Sequence, residues 1–96
     1  MIISFANKAT SDLYHGKPSS RVRQLPSQIL DSSLHKLDVL NAAQNLDDLR
    51  SPPGNRLEPL MGDYSGFHSI RINSQWRIVF RWEGSNAHDV EIIDYH

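Results

Sequence analysis

The chain has 96 residues, 39% of them apolar and 22% charged, with a net charge of −1. That is enough chain for one small core and too little for two, and too apolar for a disordered segment. The near-neutral balance makes any anion-binding surface a matter of local charge placement. There is no cysteine, which excludes disulfides and thiolate metal sites, and the five histidines lack HxH or HExxH spacing, so no metal and no cofactor is expected.

In chain order, "MIISF" is apolar and β-prone and predicts a strand. It also lacks the basic start and long apolar run of an export signal, and no stretch reaches the roughly 20 apolar residues of a membrane span. A cytoplasmic protein without a membrane partner is expected. "NKATSDLYHG" predicts a short helix with Asn7 as cap and Gly16 as stop, and "KPSSR" a polar break. From Pro26 to Gln44, Leu30, Leu34, Leu37, Leu40 and Ala43 recur at spacings of three and four. They predict the main amphipathic helix, with Pro26 in its first turn and Asp31, His35, Lys36 and Asp38 on a solvated face.

Asn45 is expected to end that helix, and Pro52, Pro53 and Gly54 break the chain before a short strand around residues 55 to 58. "MGDYSG" is a turn-rich loop in which Gly62 and Asp63 need no special role. "FHSIRIN" and "WRIVFRW" alternate as strands around a turn of Asn73, Ser74 and Gln75; "EGSN" turns again, and "AHDVEIIDYH" closes as a strand. The order β-α-α-β-β-β-β predicts an α+β fold, one domain over residues 1–96, with two N-terminal helices packed on a mostly antiparallel sheet.

The hairpin is two-faced. Ile70, Ile72, Trp76, Ile78, Phe80 and Trp82 share one parity and predict a core face, whereas Arg71, Arg77 and Arg81 share the other. Arg71 and Arg77 fall directly opposite each other across the turn. Such a like-charged pair needs solvent screening, an acid such as Glu58, Glu91 or Asp94, or an anion between its members. His68 lies on the apolar parity and is expected to be a partly buried, hydrogen-bonded strand residue. Lys17, Arg21, Arg23 and Arg50 are expected to be solvated surface charges.

The closing "DYH" gathers a carboxylate, a phenol and an imidazole on a strand of the same sheet. Arginine forks beside a group able to transfer protons near neutrality suit work on a phosphodiester. In RNA the nucleophile is already present as the 2′-hydroxyl, so such a site needs alignment, a proton acceptor, a proton donor and a cation.

"PPGNRLEPLMGDYSGFHSIRINSQWRIVF" and "VEIIDYH" together resemble the HigB branch of the RelE/ParE toxin superfamily. The resemblance covers essentially the whole chain. It implies the toxin of a type II toxin-antitoxin module, a ribosome-dependent endoribonuclease (mRNA interferase) that cuts mRNA in the A site of the 70S ribosome. The implied partner is a HigA-type helix-turn-helix antitoxin, through which alone operator DNA would be reached. By the same resemblance Arg77 is the catalytic strand arginine, His96 the proton-transfer group, Asp94 its acidic partner and Tyr95 a stacking or hydroxyl contact. Some members carry a histidine and a lysine where this chain has Glu58 and Met61. Glu58 could then act as the base, with Arg56, Arg71 and Arg81 as candidate phosphate contacts, Arg81 being the one expected instead to pair with an acid or solvent, and an attenuated toxin is expected. Two alternatives remain: a ParE-like gyrase inhibitor without enzymatic activity, and a decayed toxin serving mainly as an antitoxin-binding co-regulator.

Overall fold

The structure, a computed structural model, describes residues 1–95. Three α-helices, α1 (Lys8–Tyr14), α2 (Ser20–Arg23) and α3 (Leu30–Ala42), precede four strands, β1 (Glu58–Pro59), β2 (Phe67–Arg71), β3 (Trp76–Glu83) and β4 (Asn86–Asp94). The strands pair antiparallel in the order β1-β2-β3-β4, and the helices cover one face. The α+β layering expected from the sequence is the one observed.

The expected first strand is an extended strip lying parallel to β4, bridged at Ile2 to Ala87 and at Phe5 to Val90. Its carbonyls and amides cover the outer edge of β4, with Ala6 N–H donating to Val90 O at 2.9 Å and Val90 N–H to Ser4 O at 3.0 Å. Farther along that edge, the buried Thr10 hydroxyl accepts the Ile92 N–H at 3.0 Å and so ties α1 to β4. An edge paired in this way offers little to a foreign strand.

Asn7 caps α1 as its sequence position predicts, accepting the Thr10 N–H at 2.9 Å while its amide donates to Glu91 at 3.1 Å. Gly16, at φ +70°, follows the helix end. The polar break after it contains a further short helix, α2, because the Ser19 hydroxyl caps Val22 N–H. The long helix is also shorter than its leucine stripe suggests. Pro26 sits in extended backbone ahead of a 3₁₀ turn over Ser27–Ile29, and α3 ends where Ala43 turns to ψ 133°. Asn45 opens the next turn instead of ending α3: its side chain and that of Asp48 form a reciprocal capping box.

Leu37 and Leu40 of α3 are fully buried against Ile70, Ile78 and Phe80 of the sheet, as their periodicities require, with Leu30, Leu34, Trp76 and Trp82 packed at the margin. Pairing between β3 and β4 slips by one residue after Val79. The extra residue is accommodated at Asp89, held at φ +53°, and β4 changes parity there: Ala87 is buried before it, Val90 and Ile92 after it.

Candidate active site

The Asn73–Gln75 turn sets β2 and β3 in the register expected, with Ile72 N–H donating to Trp76 O at 2.9 Å and Arg71 directly opposite Arg77. The turn is shaped by Asn73, whose side-chain oxygen accepts the N–H groups of Gln75 and Trp76 at 2.8 Å each. The face away from the helices carries Ser69, Arg71, Arg77 and Val79, and it is not an open positive surface. Arg77 is only 5% exposed.

Arg77 is held on two sides. Its Nη1 donates to Glu58 at 2.7 Å and its Nη2 to the Arg56 carbonyl at 2.8 Å. The opposition of Arg71 and Arg77 is thereby relieved, since Glu58 neutralises one member. Arg71 has no acidic partner among the described residues. The Arg56 carbonyl is presented by a left-handed residue, φ +46°, at the end of a 3₁₀ turn over Pro53–Asn55. Beneath it Asn55 is fully buried, donating to the carbonyls of Leu49 and Ser51 at 3.2 and 3.3 Å and accepting from Lys36. Lys36 is therefore a strut between α3 and this segment, not part of a solvated face. The strand expected around residues 55 to 58 begins only at Glu58, because Pro53 to Asn55 form the turn.

Between these elements lies a cavity of about 250 Å³. Arg56, Arg71 and Arg77 line it with Glu58 and Tyr95, so three arginines share it with one acid. Asn73 and Ser74 of the turn close one side. The Arg77 guanidinium carbon sits 5.4 Å from the centre of the Tyr95 ring, close enough for a cation-π contact. The end of β4 is fastened to the turn by one residue: Gln75 O accepts the Tyr95 N–H at 2.6 Å, and its side-chain amide donates to Asp94 at 3.1 Å. Gln75, Asn73 and Ser74 carried no functional expectation. The available signal was their place in the turn joining two opposed arginines.

Of the expected site residues, Arg56, Glu58, Arg71, Arg77 and Tyr95 meet in the cavity, and Asp94 is linked to its rim through Gln75. His96 lies outside the described residues. Arg81 is not brought to the cavity: its Nη1 pairs with Glu83 at 2.6 Å and its Nε with Asp89 at 3.4 Å. The hydrogen bond to Glu83, with Asp89 adding to it, pushes its pKa above the ordinary value. It shares strand parity with Arg77 but sits beyond the point where β4 slips register. His68 is half-buried over Phe80, ring centres 6.3 Å apart, and its buried Nδ1 has no partner among the described residues, contrary to the hydrogen bond expected. Burial, with the nearby Arg50 charge, lowers its pKa. Among the described residues no group of His, Asp or Glu could hold a metal ion.

This arrangement has relatives. Residues 3–96 match a family model of HigB-like toxins, described as the RelE-like toxin of type II toxin-antitoxin system HigB. The chain is 43% identical over 82 residues to Toxin HigB-1 of Vibrio cholerae, covering 85% of this chain and 84% of that one. It is 31% identical over 96 residues, the full length of both, to Endoribonuclease HigB of Proteus vulgaris. Among solved structures, a chain of the heterotetrameric YoeB-YefM toxin-antitoxin complex from Staphylococcus aureus aligns with a TM-score of 0.60 at 14% identity, covering 100% of this chain and 98% of that one. YafQ from E. coli aligns at 0.55 and 12% identity, covering 98% and 93%; at such identities the likeness is one of fold. With a family model running from residue 3 to residue 96 and two relatives above 30% identity, the chain belongs to the HigB-like toxins, the RelE-like toxins of type II toxin-antitoxin systems.

Proposed function

We propose that this toxin is an endoribonuclease that cleaves mRNA in the ribosomal A site by attack of the 2′-hydroxyl on the adjacent phosphate. The single observation that carries the reading is the convergence of Arg56, Arg71, Arg77 and Tyr95 with Glu58 in one cavity. Endoribonuclease HigB of Proteus vulgaris, alignable over its full length, supports it.

In that reaction the 2′-oxygen forms a bond to phosphorus as the bond to the 5′-oxygen breaks. The products are a 2′,3′-cyclic phosphate and a free 5′-hydroxyl. Arg71 and Arg56, which have no acidic partners among the described residues, are placed to grip the phosphate oxygens. Arg77, fixed by Glu58 and the Arg56 carbonyl, supplies a preorganised positive charge as negative charge builds on phosphorus. Glu58 is the proton acceptor available in the cavity; His96, next to Tyr95 in the chain, is assigned as donor to the leaving oxygen, with Asp94 as its acidic partner. No step calls on a metal.

One carboxylate oxygen of Glu58 is engaged by Arg77, and Met61 is 83% exposed without lining the cavity. A base tied in this way, with no lysine beside it, favours a slow enzyme. A type II toxin has an antitoxin as partner; we assign a helix-turn-helix protein of the HigA type, through which the complex reaches operator DNA. The test is induction of the toxin followed by mapping of mRNA 5′ ends. Cuts inside translated codons that vanish with Arg77→Ala support the reading, whereas gyrase poisoning with intact mRNA replaces it.

A further inference from the structure

Arg77 belongs to β3, yet its guanidinium binds Glu58 of β1, and β2 lies between them. Two strand spacings, about 10 Å, separate β3 from β1, so the side chain has to cross β2 to reach its partner. The register fixes where. Arg71 stands opposite Arg77 and Ser69 opposite Glu58, so the crossing passes over β2 between these two residues. Ser69 is fully buried although the helices cover the other face of the sheet, and Arg77 is 5% exposed. The serine is the floor beneath the arginine.

Two polar atoms are left over along this crossing. The Arg77 Nε–H and the Ser69 hydroxyl are both buried, and neither has a hydrogen-bond partner among the described residues. Both Nη atoms of Arg77 are already engaged, by Glu58 and by the Arg56 carbonyl. A buried donor without an acceptor is costly, whereas a hydroxyl can accept one bond while donating another. Ser69 is therefore suited to take the Nε–H and to donate in turn toward Glu58, its direct cross-strand neighbour.

We propose that Ser69 is a positioning residue for Arg77. Its small side chain leaves the lane in which the arginine crosses β2, and its hydroxyl accepts the Nε–H through a small settling of the guanidinium toward that strand. Arg77 is then held at all three nitrogens, which fixes the plane of its charge against the scissile phosphate. Ser69 itself touches no substrate. Its effect on cleavage rests on the nuclease reading, but its contact with Nε is observable without any cleavage.

Nitrogen-15 NMR of the purified toxin reads that contact, the Arg77 Nε–H signal being the one lost in Arg77→Lys. Ser69→Ala keeps the lane and removes the acceptor, so exchange of this proton with water should quicken by about tenfold or more. In the same variant kcat on translating ribosomes should fall about tenfold, with KM within roughly twofold of wild type and melting still cooperative. Ser69→Val fills the lane and should lower cleavage by at least about 100-fold. Unchanged Nε–H exchange in Ser69→Ala overturns the proposal, whatever happens to cleavage. So does a wild-type kcat in that variant, or wild-type cleavage by Ser69→Val. Absence of cleavage by the wild type defeats the nuclease reading instead, and the exchange rates then decide the Ser69 contact alone.

Discussion

Arg77 has the most constrained surroundings of any charged residue in the site. Its guanidinium is built into the protein by Glu58 and the Arg56 carbonyl before any substrate arrives, which is what electrostatic preorganisation requires. Arg77→Ala should lower mRNA cleavage by at least about 100-fold, and Arg77→Lys should recover little, because an ammonium cannot hold both partners in a planar fork. Cleavage assays on translating ribosomes would check both. Gln75 acts at one remove, through Asp94. Gln75→Ala should slow cleavage several-fold with little change in toxin-ribosome affinity, a split that separates positioning from binding. His68 carries a pH signature. Its folded pKa lies below the ordinary 6.5, so its neutral form favours the fold; its share of stability is fully present above 6.5 and is lost as pH falls through that value toward the folded pKa. Melting curves between pH 8 and 5 should decline more steeply for the wild type than for His68→Phe.

At the scale of elements, two side chains join pieces that secondary structure alone leaves separate. Asn55 holds the turn that delivers Arg56 and Glu58, and Thr10 accepts an amide of β4 at the point where the N-terminal strip ends. Asn55→Ala leaves the Leu49 and Ser51 carbonyls and Lys36 without this partner and should cost about 1–3 kcal/mol in urea denaturation, with a loss of cleavage as the Arg56 carbonyl shifts. Thr10→Val should cost a similar amount of stability without changing cleavage, since it touches β4 and not the cavity. Neither role was legible from the sequence. Pattern identifies which residues share a face, whereas Asn55 and Thr10 act through contacts with residues far along the chain. The leucine stripe, the Asn7 cap, the hairpin turn and the Arg71 and Arg77 register were all legible, because each depends on local spacing. Arg81 shares strand parity with Arg77 and was a candidate phosphate contact, but the expectation that it pairs with an acid is the one observed, with Glu83 and Asp89 beyond the one-residue slip.

Across the whole molecule, charge is sorted by position and not by sum. A chain with net charge −1 gathers three arginines in one cavity and four basic residues over its first helices, and balances them with acids elsewhere. The sheet separates the two regions: its far face holds the arginine cavity, while its other face carries the helices and the core. The composition predicted that any anion site would be local. Glu58, Glu91 and Asp94 were all candidates to pair with the opposed arginines, and the choice of Glu58 for Arg77 is made only when β1 is laid beside β2. The central claim, that this cavity cuts mRNA, is tested most directly by mapping RNA 5′ ends in cells expressing the wild type or Arg77→Ala at equal levels. The account predicts 5′-hydroxyl ends within translated codons for the wild type and their disappearance for the variant. The same ends at undiminished frequency in Arg77→Ala, or intact mRNA alongside growth arrest by the wild type, would contradict it.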